Sequence, residues 1–405
     1  MFDLRTRRER WTPSWGVINM GKTLRIGAIG WGLRGGLAAI ANRPEDDAEL
    51  VALADLSPAA HAKFKERMGD DKYVTTNYLD LLDQNLDAVF VMSPDWLHEE
   101  HACTLLAAGM NIYLEKPMAI TTEGCDRILE TAKSSGSKLF VGHNMRHFGV
   151  VQKIKQWIDE GKIGEVKAGW CRHFVSYGGD AYFRDWHADR TKSTGLLLQK
   201  GAHDIDVFHW LCGGYSETVS AIGDLSVYGK ITDRLKPDES IKVEFRKVWP
   251  PSSLDKLNSV VDVEDINMML MKLNNGVLAS YQQCHYTPDA WRNYTIIGSE
   301  GRIENFGDSP GKSVVRMWNQ NHQGYVEKGD LEYEVPVATG GHGGADELIV
   351  GEFLDFLRSG TTSVTSPIAA RQSVAAGVAA TQSVRSGGAV VQVPPVAPDL
   401  TEYFK

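Results

Sequence analysis

Two short polar segments stand directly behind apolar segments that are typical of buried strands. Ser93-Pro94-Asp95 ends the run that begins at Leu86, and Glu115-Lys116-Pro117 follows MNIYL. In open α/β sheets the carboxyl ends of the strands form the edge where ligands bind, so both segments are predicted to face a ligand cleft. A lysine there can take or give a proton, whereas an ordinary exposed loop lysine is the alternative. We expect Asp95 to cap the helix that follows.

A glycine-rich turn near the start of the chain indicates a phosphate site. Gly30-Trp31-Gly32-Leu33-Arg34-Gly35 matches the pattern GxGxxG, between a strand-like run from Leu24 and a segment with helical spacing. Such a turn offers backbone amides to a pyrophosphate, while glycines that only permit a tight turn are the alternative. Asp55 ends the second apolar run about 20 positions later, where a carboxylate can accept the ribose hydroxyls of a dinucleotide. Together these features predict dinucleotide binding.

The same carboxylate favours NAD over NADP. Asp55 repels a 2'-phosphate, and the next two residues, Leu56 and Ser57, bring no positive charge. Arg34, within the turn, is a nearby cation that could reach a phosphate. NAD is therefore the predicted cofactor.

The order of the predicted elements indicates two kinds of sheet. Strand-like and helix-like segments alternate from Leu24 to Arg146, which predicts a parallel, doubly wound sheet. After a helix predicted over Val150 to Glu160, long strand-like segments joined by turns such as Asn275-Gly276 predict an α+β region with a large open, mostly antiparallel sheet. The segment Lys230 to Asn258 is a long insertion for which the pattern predicts no structure. The predicted fold class is therefore α/β, a doubly wound domain followed by an α+β domain.

Composition excludes several classes of function. The 405 residues include 43 Lys and Arg against 52 Asp and Glu, a net charge of -9, so no broad basic face and no nucleic-acid partner are expected. Five cysteines without a CxxC pair predict no disulfide framework and fit a reducing cytoplasm. No apolar run reaches the length that spans a bilayer, so no membrane association is predicted. Residues 1–21 contain Arg7-Arg8 without a following apolar segment, and they are predicted to be a tail rather than an export signal.

Several blocks of the sequence resemble one family of oxidoreductases. The resemblance extends from Lys22 to Pro395 and is carried by the blocks IGAIGWGLRG, SPDWLHEEHACTLLAAGMNIYLEKP, GHNMRHF, STGLLLQKGAHDIDVFHWL and GSEGRIENF. Through them the chain is similar to the glucose-fructose oxidoreductase/inositol dehydrogenase family, Gfo/Idh/MocA. The resemblance implies a Rossmann domain over 22–145 and, over 146–405, an α/β domain whose large open sheet builds the substrate pocket. It also implies a homo-oligomer, a dimer or a tetramer, and a C-terminal segment that returns to the domain junction.

The chemistry that the resemblance implies is hydride transfer between nicotinamide and a secondary hydroxyl of a sugar, glycoside, anhydrosugar or cyclitol. The lysine of the family's EKP motif matches Lys116, and the histidine of its second motif matches His203; the pair takes the hydroxyl proton. Many members have an aspartate four residues before this histidine, where this chain has Gln199, followed by Lys200. Because an amide cannot stabilise an imidazolium by charge, the choice of proton acceptor between Lys116 and His203 stays open.

The other candidates lie near these motifs. The predicted cofactor-binding residues are Gly30, Trp31, Gly32, Leu33, Arg34, Gly35, Asp55, Ser93, Pro94, His98, Glu115, Lys116 and Asn144. The predicted substrate-binding residues are Lys116, Arg146, Trp186, Arg190, Gln199, Lys200 and His203, with Trp291, Arg292, His342 and Asp346 as weaker candidates. His98 is expected to contact the nicotinamide side of the cofactor or to cap its helix. His98 with His101, and His143 with His147, have spacings that could hold a metal, but hydride transfer to nicotinamide needs none, and no metal is predicted.

Three hypotheses of function follow. The first is an NAD-dependent sugar or polyol dehydrogenase. The alternative is a glycosidase or lyase with tightly bound NAD that acts by transient oxidation and elimination. A non-enzymatic NAD-responsive binding protein is disfavoured, because it would leave Lys116 and His203 without a task.

Overall fold

Two β-sheets organise the part of the chain that the structure describes. A computed structural model describes residues 23–405 apart from 238, 240, 242, 243, 310, 321, 323, 361 and 362. The predicted tail, residues 1–21, lies outside the described residues. Within them are a six-stranded sheet and a nine-stranded sheet, and none of the described helices is both long and apolar enough to cross a membrane.

The first sheet is parallel. Its strands are β1 (Leu24–Ile29), β2 (Ala48–Ala54), β3 (Tyr73–Thr75), β4 (Ala88–Val91), β5 (Asn111–Leu114) and β6 (Leu139–Val141). They lie in the order β3-β2-β1-β4-β5-β6, and each neighbouring pair is parallel. All four residues of β4 are buried, as an unbroken apolar run predicts for a strand covered on both faces. The predicted doubly wound sheet is confirmed, and the strand order reverses between β1 and β4, where such sheets form a ligand crevice.

Four helices connect these strands, namely α1 (Gly35–Ile40), α2 (Pro58–Met68), α3 (His98–Ala107) and α4 (Thr122–Ser135). Local sequence sets their ends. The side chain of Thr121 accepts a hydrogen bond from the N–H of Gly124 at the start of α4, and Gly136 ends this helix with a left-handed φ of 72°. α1 ends at Ile40, before the end of the segment with helical spacing, and a separate 3-10 turn begins at Pro44.

The second sheet follows α5 (Gly149–Asp159). Its strands are β7 (Val166–Phe174), β8 (Ser216–Asp224), β9 (Ile266–Leu273), β10 (Leu278–Cys284), β11 (Trp291–Gly298), β12 (Arg302–Phe306), β13 (Val314–Trp318), β14 (Leu331–Glu334) and β15 (Val391–Gln392). The order is β14-β13-β12-β11-β7-β10-β9-β8-β15, in which β7 and β10 are parallel and the other described pairs are antiparallel. The predicted open, mostly antiparallel sheet is confirmed.

The remaining helices cover both sheets. They are α6 (Arg190–Ser193), α7 (Leu196–Gln199), α8 (Gly201–Cys212), α9 (Ala345–Ser359), α10 (Pro367–Arg385) and α11 (Pro398–Tyr403). On the second sheet, Phe208 of α8 packs edge-on against Tyr294 of β11. On the first, Phe353 of α9 lies 5.1 and 5.4 Å from the ring centres of Phe90 and Tyr113. The last part of the chain thus packs against the first sheet, while the domain limits 22–145 and 146–405 stay a prediction.

Candidate active site

The glycine-rich turn joins β1 to α1 in a shape that its glycines permit. Gly30 has a φ of +90°, and a Cβ added there would lie 2.7 Å from the carbonyl oxygen of Met92. A Cβ added to Gly32 would meet no atom within 4 Å. The turn is therefore tight against the end of β4 on one side and open on the other, which lets a phosphate approach the backbone.

Asp55 is held beside this turn by backbone hydrogen bonds. Its Oδ2 atom accepts the N–H of Trp31 at 2.7 Å, and its Oδ1 atom accepts the N–H of Ser57 at 2.8 Å. Gly35 packs against the indole of Trp31, and Leu33 is exposed. A carboxylate oxygen can accept a second hydrogen bond, so these contacts leave Asp55 able to accept further donors, and its contact with the ribose hydroxyls of a dinucleotide stays a prediction.

Arg34 extends from the turn toward two carboxylates. Its Nε atom donates to Glu115 at 3.0 Å, and its Nη atoms donate to both oxygens of Asp346 at 3.1 Å. Burial disfavours the cation, but these carboxylates outweigh burial and hold the pKa of Arg34 above its usual value. Asp346 also accepts from Nδ2 of Asn144 at 2.9 Å and lies 2.8 Å from Nδ1 of His342. The network braces the turn against α9, and the cofactor contacts of its members stay predictions.

His98 ties together the two loops at the ligand edge. Its Nδ1 atom lies 2.7 Å from the carbonyl oxygen of Pro117, and its Nε2 atom lies 2.8 Å from that of Ser93, which with Pro94 forms the loop after β4. Burial lowers the pKa of His98, and a neutral imidazole donates to one of these oxygens. Both ring nitrogens face main-chain carbonyls, an arrangement that positions the two loops, and the contact of His98 with nicotinamide stays a prediction.

Lys116 extends from the loop after β5 across the cleft to α7. Its Nζ atom donates a hydrogen bond to the main-chain carbonyl of Gln199 at 3.2 Å. Burial lowers the pKa of Lys116 to about 8, although the charge of Asp95 favours the ammonium form. A lysine with this pKa is partly neutral near pH 8, so it can accept a proton there.

Asp95 belongs to this site, although its sequence position indicated a helix cap. It is 6% exposed, and its Oδ2 atom has no hydrogen-bond partner among the described residues. Burial raises its pKa to about 7, opposed by Lys116 and by the side chain of Gln199. The predicted cap is wrong, because the 3-10 turn Asp95–Leu97 separates this residue from α3. Its place directly behind a buried strand is the signal from which the segment Ser93-Pro94-Asp95 was predicted to face a ligand cleft.

His203, on the first turn of α8, lies near His143 and Lys116. The two imidazole rings are 6.2 Å apart and nearly perpendicular, at 82°. Burial lowers the pKa of both histidines, and the charge of Lys116 lowers that of His203 further. Within the described residues, Nδ1 of His203 has no hydrogen-bond partner. His203 is therefore a neutral imidazole at pH 7 with an unpaired ring nitrogen, close to Lys116.

Lys200 is buried between two tyrosines. Its Nζ atom donates to the hydroxyl of Tyr177 at 3.1 Å and lies 5.5 and 5.6 Å from the ring centres of Tyr177 and Tyr182. Burial disfavours the ammonium, but the two tyrosines outweigh burial and raise the pKa of Lys200. Lys200 in turn lowers the pKa of Tyr177. Neither tyrosine was a sequence candidate, because only the fold brings the segment after β7 to the end of α7.

Trp186 forms an aromatic stack beside the lysines. Its ring lies 3.6 Å from that of His187 at an interplanar angle of 21°, and it meets Trp96 edge-on at 4.9 Å. Burial and the nearby charges of Lys116 and Lys200 lower the pKa of His187. Trp186, a predicted substrate-binding residue, is thus near the lysines, and its contact with substrate stays a prediction.

Two arginines that were predicted to bind substrate are engaged by the protein itself. The Nε and Nη2 atoms of Arg146 donate to both oxygens of Asp206 at 2.8 and 2.7 Å, and its Nη1 atom donates to the carbonyl of Val364 at 2.6 Å. Arg190 pairs with Asp262, with 2.9 Å between Nε and Oδ2. A buried, doubly hydrogen-bonded ion pair such as that of Arg146 is typical of a structural contact. Both arginines thus support the protein structure itself, and their contacts with substrate stay predictions.

A buried network around Asp204 lies behind His203. The Asp204 carboxylate contacts Nε of Arg292 at 3.0 Å, Nδ1 of His173 at 3.0 Å and the hydroxyl of Tyr281 at 2.9 Å, and it accepts a hydrogen bond from Tyr294. Burial alone would raise the pKa of Asp204, but these donors hold it below its usual value. Asp204 therefore stays charged and anchors the start of α8 to β7, β10 and β11.

Unpaired buried polar atoms mark the cleft. Among the described residues they include Asp95 Oδ2, both ring nitrogens of His143, Asn144 Oδ1, Gln199 Oε1 and His203 Nδ1. Buried polar groups in folded proteins are almost always hydrogen-bonded, so groups of a ligand are expected to complete these. With the open turn and the placed carboxylate of Asp55, they fit a dinucleotide beside a hydroxylated ligand. In the described part of the chain, no three His, Cys, Asp or Glu side chains are arranged to hold a metal ion.

Comparison with known families decides the assignment. The family model "Oxidoreductase family, NAD-binding Rossmann fold" matches residues 24–143, and "Oxidoreductase family, C-terminal alpha/beta domain" matches residues 155–393. The chain belongs to the Gfo/Idh/MocA oxidoreductases. The predicted family, and NAD as its cofactor, are confirmed.

Individual relatives of this Gfo/Idh/MocA oxidoreductase are distant. The Bacillus subtilis protein YteT, described only as an oxidoreductase, is 27% identical over 346 residues, 75% of this chain and 81% of the relative. An inositol 2-dehydrogenase of Ralstonia nicotianae is 34% identical over 195 residues, 47% of this chain and 55% of the relative. A levoglucosan dehydrogenase solved with NADH and levoglucosan has a TM-score of 0.74 at 20% identity, covering 92% of this chain and 99% of that one. At this identity, the similarity to the levoglucosan dehydrogenase shows only that the two proteins share a fold.

Proposed function

We propose that this Gfo/Idh/MocA oxidoreductase is an NAD-dependent dehydrogenase that oxidises one secondary hydroxyl of a sugar, glycoside, anhydrosugar or cyclitol. The observation that carries the proposal is that Lys116, in the loop behind β5 with a pKa lowered to about 8, lies near enough to the neutral His203 of α8 for its charge to lower the pKa of that histidine. Oxidation of an alcohol needs a group that accepts the hydroxyl proton, and both residues can do so near neutral pH.

The side chains of the site each have a task in this reaction. When bound, NAD supplies the acceptor for the hydride. The hydroxyl proton passes to neutral Lys116 or to the unpaired ring nitrogen of His203. A neutral Lys116 keeps one N–H on the carbonyl of Gln199, which leaves its lone pair for the substrate hydroxyl. Asp95 beside it stabilises the ammonium that forms.

The surroundings of this pair support a polyhydroxylated substrate. Lys200 stays charged in the site and can donate to hydroxyl oxygens, while the stack of Trp186 and His187 offers an apolar face for C–H groups. Two proteins to which this chain is similar are named for cyclic polyols and sugars, an inositol 2-dehydrogenase and a levoglucosan dehydrogenase. These observations favour a cyclic substrate with several hydroxyls.

The direct test is a substrate panel. Purified protein with NAD is mixed with monosaccharides, methyl glycosides, disaccharides, anhydrosugars and inositols. The absorbance of NADH gives both the initial rate and the amount formed at equilibrium. We expect at least one compound to give sustained NADH formation. The absence of NADH with every compound, while NAD itself binds, would remove the proposal.

The alternative glycosidase or lyase reaction has one specific observation in its favour. Asp95 is buried beside Lys116 with a pKa raised to about 7, so near neutral pH it can donate a proton to a leaving group. In such a reaction NAD would be reduced and reoxidised within each turnover. Release of the aglycone without net NADH, from protein that retains NAD through gel filtration, would support it over the dehydrogenase.

We also propose that the protein is a homo-oligomer, a dimer or a tetramer. The second sheet exposes Ile222, Met268 and Leu270, which lie on β8 and β9, with 60%, 47% and 63% of their surface accessible. Clustered apolar side chains on an open sheet favour burial against another copy. Light scattering coupled to gel filtration measures the mass directly, and a monomer at micromolar concentration would contradict the proposal.

A further inference from the structure

The long insertion over 230–258, for which the sequence predicted no structure, packs onto the helical turn Gly179–Phe183. Leu254 and Leu257 of the insertion are buried in one apolar cluster with Phe183 and Tyr228. Gly179 permits this close approach, because a Cβ added there would lie 2.6 Å from Leu254 and 2.8 Å from the hydroxyl of Tyr228. The described residues of the insertion are thus part of the folded domain.

A cavity of about 600 Å³ lies between the insertion and the rest of the domain. Its volume falls in the range of about 300–1,000 Å³ that is usual for small-molecule sites. Its lining includes Tyr177, Asp180, Phe245, Lys247, Trp249 and Thr287. Although these residues belong to a packed segment, Trp249 and Phe245 are 60% and 51% exposed. Aromatic faces beside polar groups suit a sugar ring, whose C–H groups stack while its hydroxyls form hydrogen bonds.

Asp180 lines this cavity, and one of its carboxylate oxygens lacks a hydrogen bond to any described residue. Its Oδ2 atom accepts the N–H of Arg246 at 2.8 Å, whereas its Oδ1 atom has no hydrogen-bond partner among the described residues. That oxygen lies 3.5 Å from Nε of Arg246 and 3.7 Å from Nη1 of Arg184. Asp180 is 6% exposed, so a ligand hydroxyl that donates to Oδ1 would complete a buried carboxylate.

Tyr177 connects the cavity to the lysine-lined site. One edge of its ring meets Phe245 of the insertion, with ring centres 5.9 Å apart, and its hydroxyl accepts the hydrogen bond from Lys200. The cavity and the proposed reaction site therefore adjoin each other at Tyr177. A ligand longer than one ring could contact both.

We propose that this cavity is a subsite for a second sugar ring, linked to the ring that is oxidised. The inference rests on the proposed dehydrogenase function and narrows its substrate to a disaccharide or a longer glycoside. Trp249 and Phe245 stack on the second ring, and Asp180 accepts one of its hydroxyls. The insertion then selects against a monosaccharide, which leaves these groups without contacts.

Kinetics with paired substrates test the subsite. Gluco- and galacto-configured disaccharides are compared with the methyl glycosides of the same reacting sugars, with NAD present, in wild type, Trp249→Ala and Phe245→Ala. For the disaccharide that reacts, each substitution is expected to lower kcat/KM roughly tenfold. The methyl glycoside is expected to change by less than roughly twofold, since it does not reach the cavity. Trp170→Ala is the control, because Trp170 lies on β7 outside both sites and should alter neither value.

Binding gives a readout that does not depend on turnover. Saturation-transfer NMR with NAD-loaded protein should show disaccharide binding that Trp249→Ala weakens. Binding of this kind without NADH formation would uphold the subsite and overturn the dehydrogenase. If NADH forms but the substitutions lower kcat/KM equally for the disaccharide and the methyl glycoside, the subsite alone is overturned. The same holds if the wild type prefers the methyl glycoside. If no disaccharide binds and none is oxidised, the subsite is overturned.

Discussion

The Nδ1 atom of His98 lies 2.7 Å from the carbonyl oxygen of Pro117, which joins the start of α3 to the loop behind β5. The other ring nitrogen of His98 lies 2.8 Å from the carbonyl oxygen of Ser93. One imidazole therefore holds together the loops that carry Asp95 and Lys116. His98 reaches both loops because it is the first residue of α3.

His98→Ala should therefore destabilise the fold and disturb the site. The substitution leaves the one carbonyl group that accepts the imidazole N–H without its donor and opens a small cavity, so the free energy of unfolding should fall by about 2–4 kcal/mol. Urea denaturation monitored by circular dichroism measures the change. His322→Ala, at an exposed position, is the control and should be neutral. Equal stability of the two variants would contradict the bridging role.

Lys116→Met should abolish most turnover while the protein remains folded. The side chain keeps its length but loses the proton acceptor, and general-base groups contribute roughly 10²- to 10⁴-fold. We expect kcat to fall by that factor. Lys133→Met on the outer face of α4, where the lysine pairs with an exposed Asp399, should retain full activity. A Lys116→Met variant within roughly twofold of wild type would exclude Lys116 as the acceptor.

The pH profile should distinguish Lys116 from His203 as the acceptor. Lys116 acts in its neutral form, and its pKa is lowered to about 8, so kcat/KM for oxidation should rise with pH and level off above pH 8. The pKa of His203 lies well below its usual value, so this residue is already neutral at pH 6.5 and would give a flat profile above it. Initial rates between pH 6 and 9.5 in wild type and Lys116→Met separate the two cases. A rising limb that persists in Lys116→Met would assign it to another group.

Asp55→Ala should weaken NAD binding and reduce discrimination against NADP. The carboxylate is fixed by two backbone N–H groups beside the glycine turn, where it can accept ribose hydroxyls and repel a 2'-phosphate. Loss of hydrogen bonds to a charged acceptor should raise the Kd for NAD roughly 10- to 100-fold. Titration calorimetry with both cofactors measures the effect, and Asp70→Ala, in an exposed position, provides the control. An unchanged ratio of NAD to NADP affinity would contradict the predicted role.

Asp204→Asn should lower stability and change its dependence on pH. The substitution leaves Arg292 buried without its strongest carboxylate partner, which costs about 3–5 kcal/mol. The folded-state pKa of Asp204 is depressed, so the unfolded chain takes up its proton at a higher pH than the folded chain does. The stabilisation is therefore complete above about pH 4 and is lost as the pH falls below that value. Unfolding measured between pH 3 and 7 should show this acid-side loss in wild type and a shallower slope in the variant.

Much of the fold follows from short-range patterns in the sequence. The alternation of apolar strands with capped helices predicts the parallel sheet, and the turn Asn275-Gly276 predicts the hairpin between β9 and β10. The glycine turn, Asp55 and Lys116 are recognisable because backbone geometry and strand ends dictate where such residues stand. Each of these features depends on residues that are close along the chain, so a single sequence is enough to find them.

Only the tertiary structure decides which distant side chains meet. Arg34 pairs with Asp346, 312 residues away, and Asp95 and Lys116 share one buried site in which each alters the pKa of the other. The described residues of the insertion likewise pack against Tyr228 and Gly179, a contact that no hydrophobic periodicity within the insertion predicts. Desolvation and pairing of charges depend on how complete elements pack, and packing between elements is not encoded in the periodicity of any one of them.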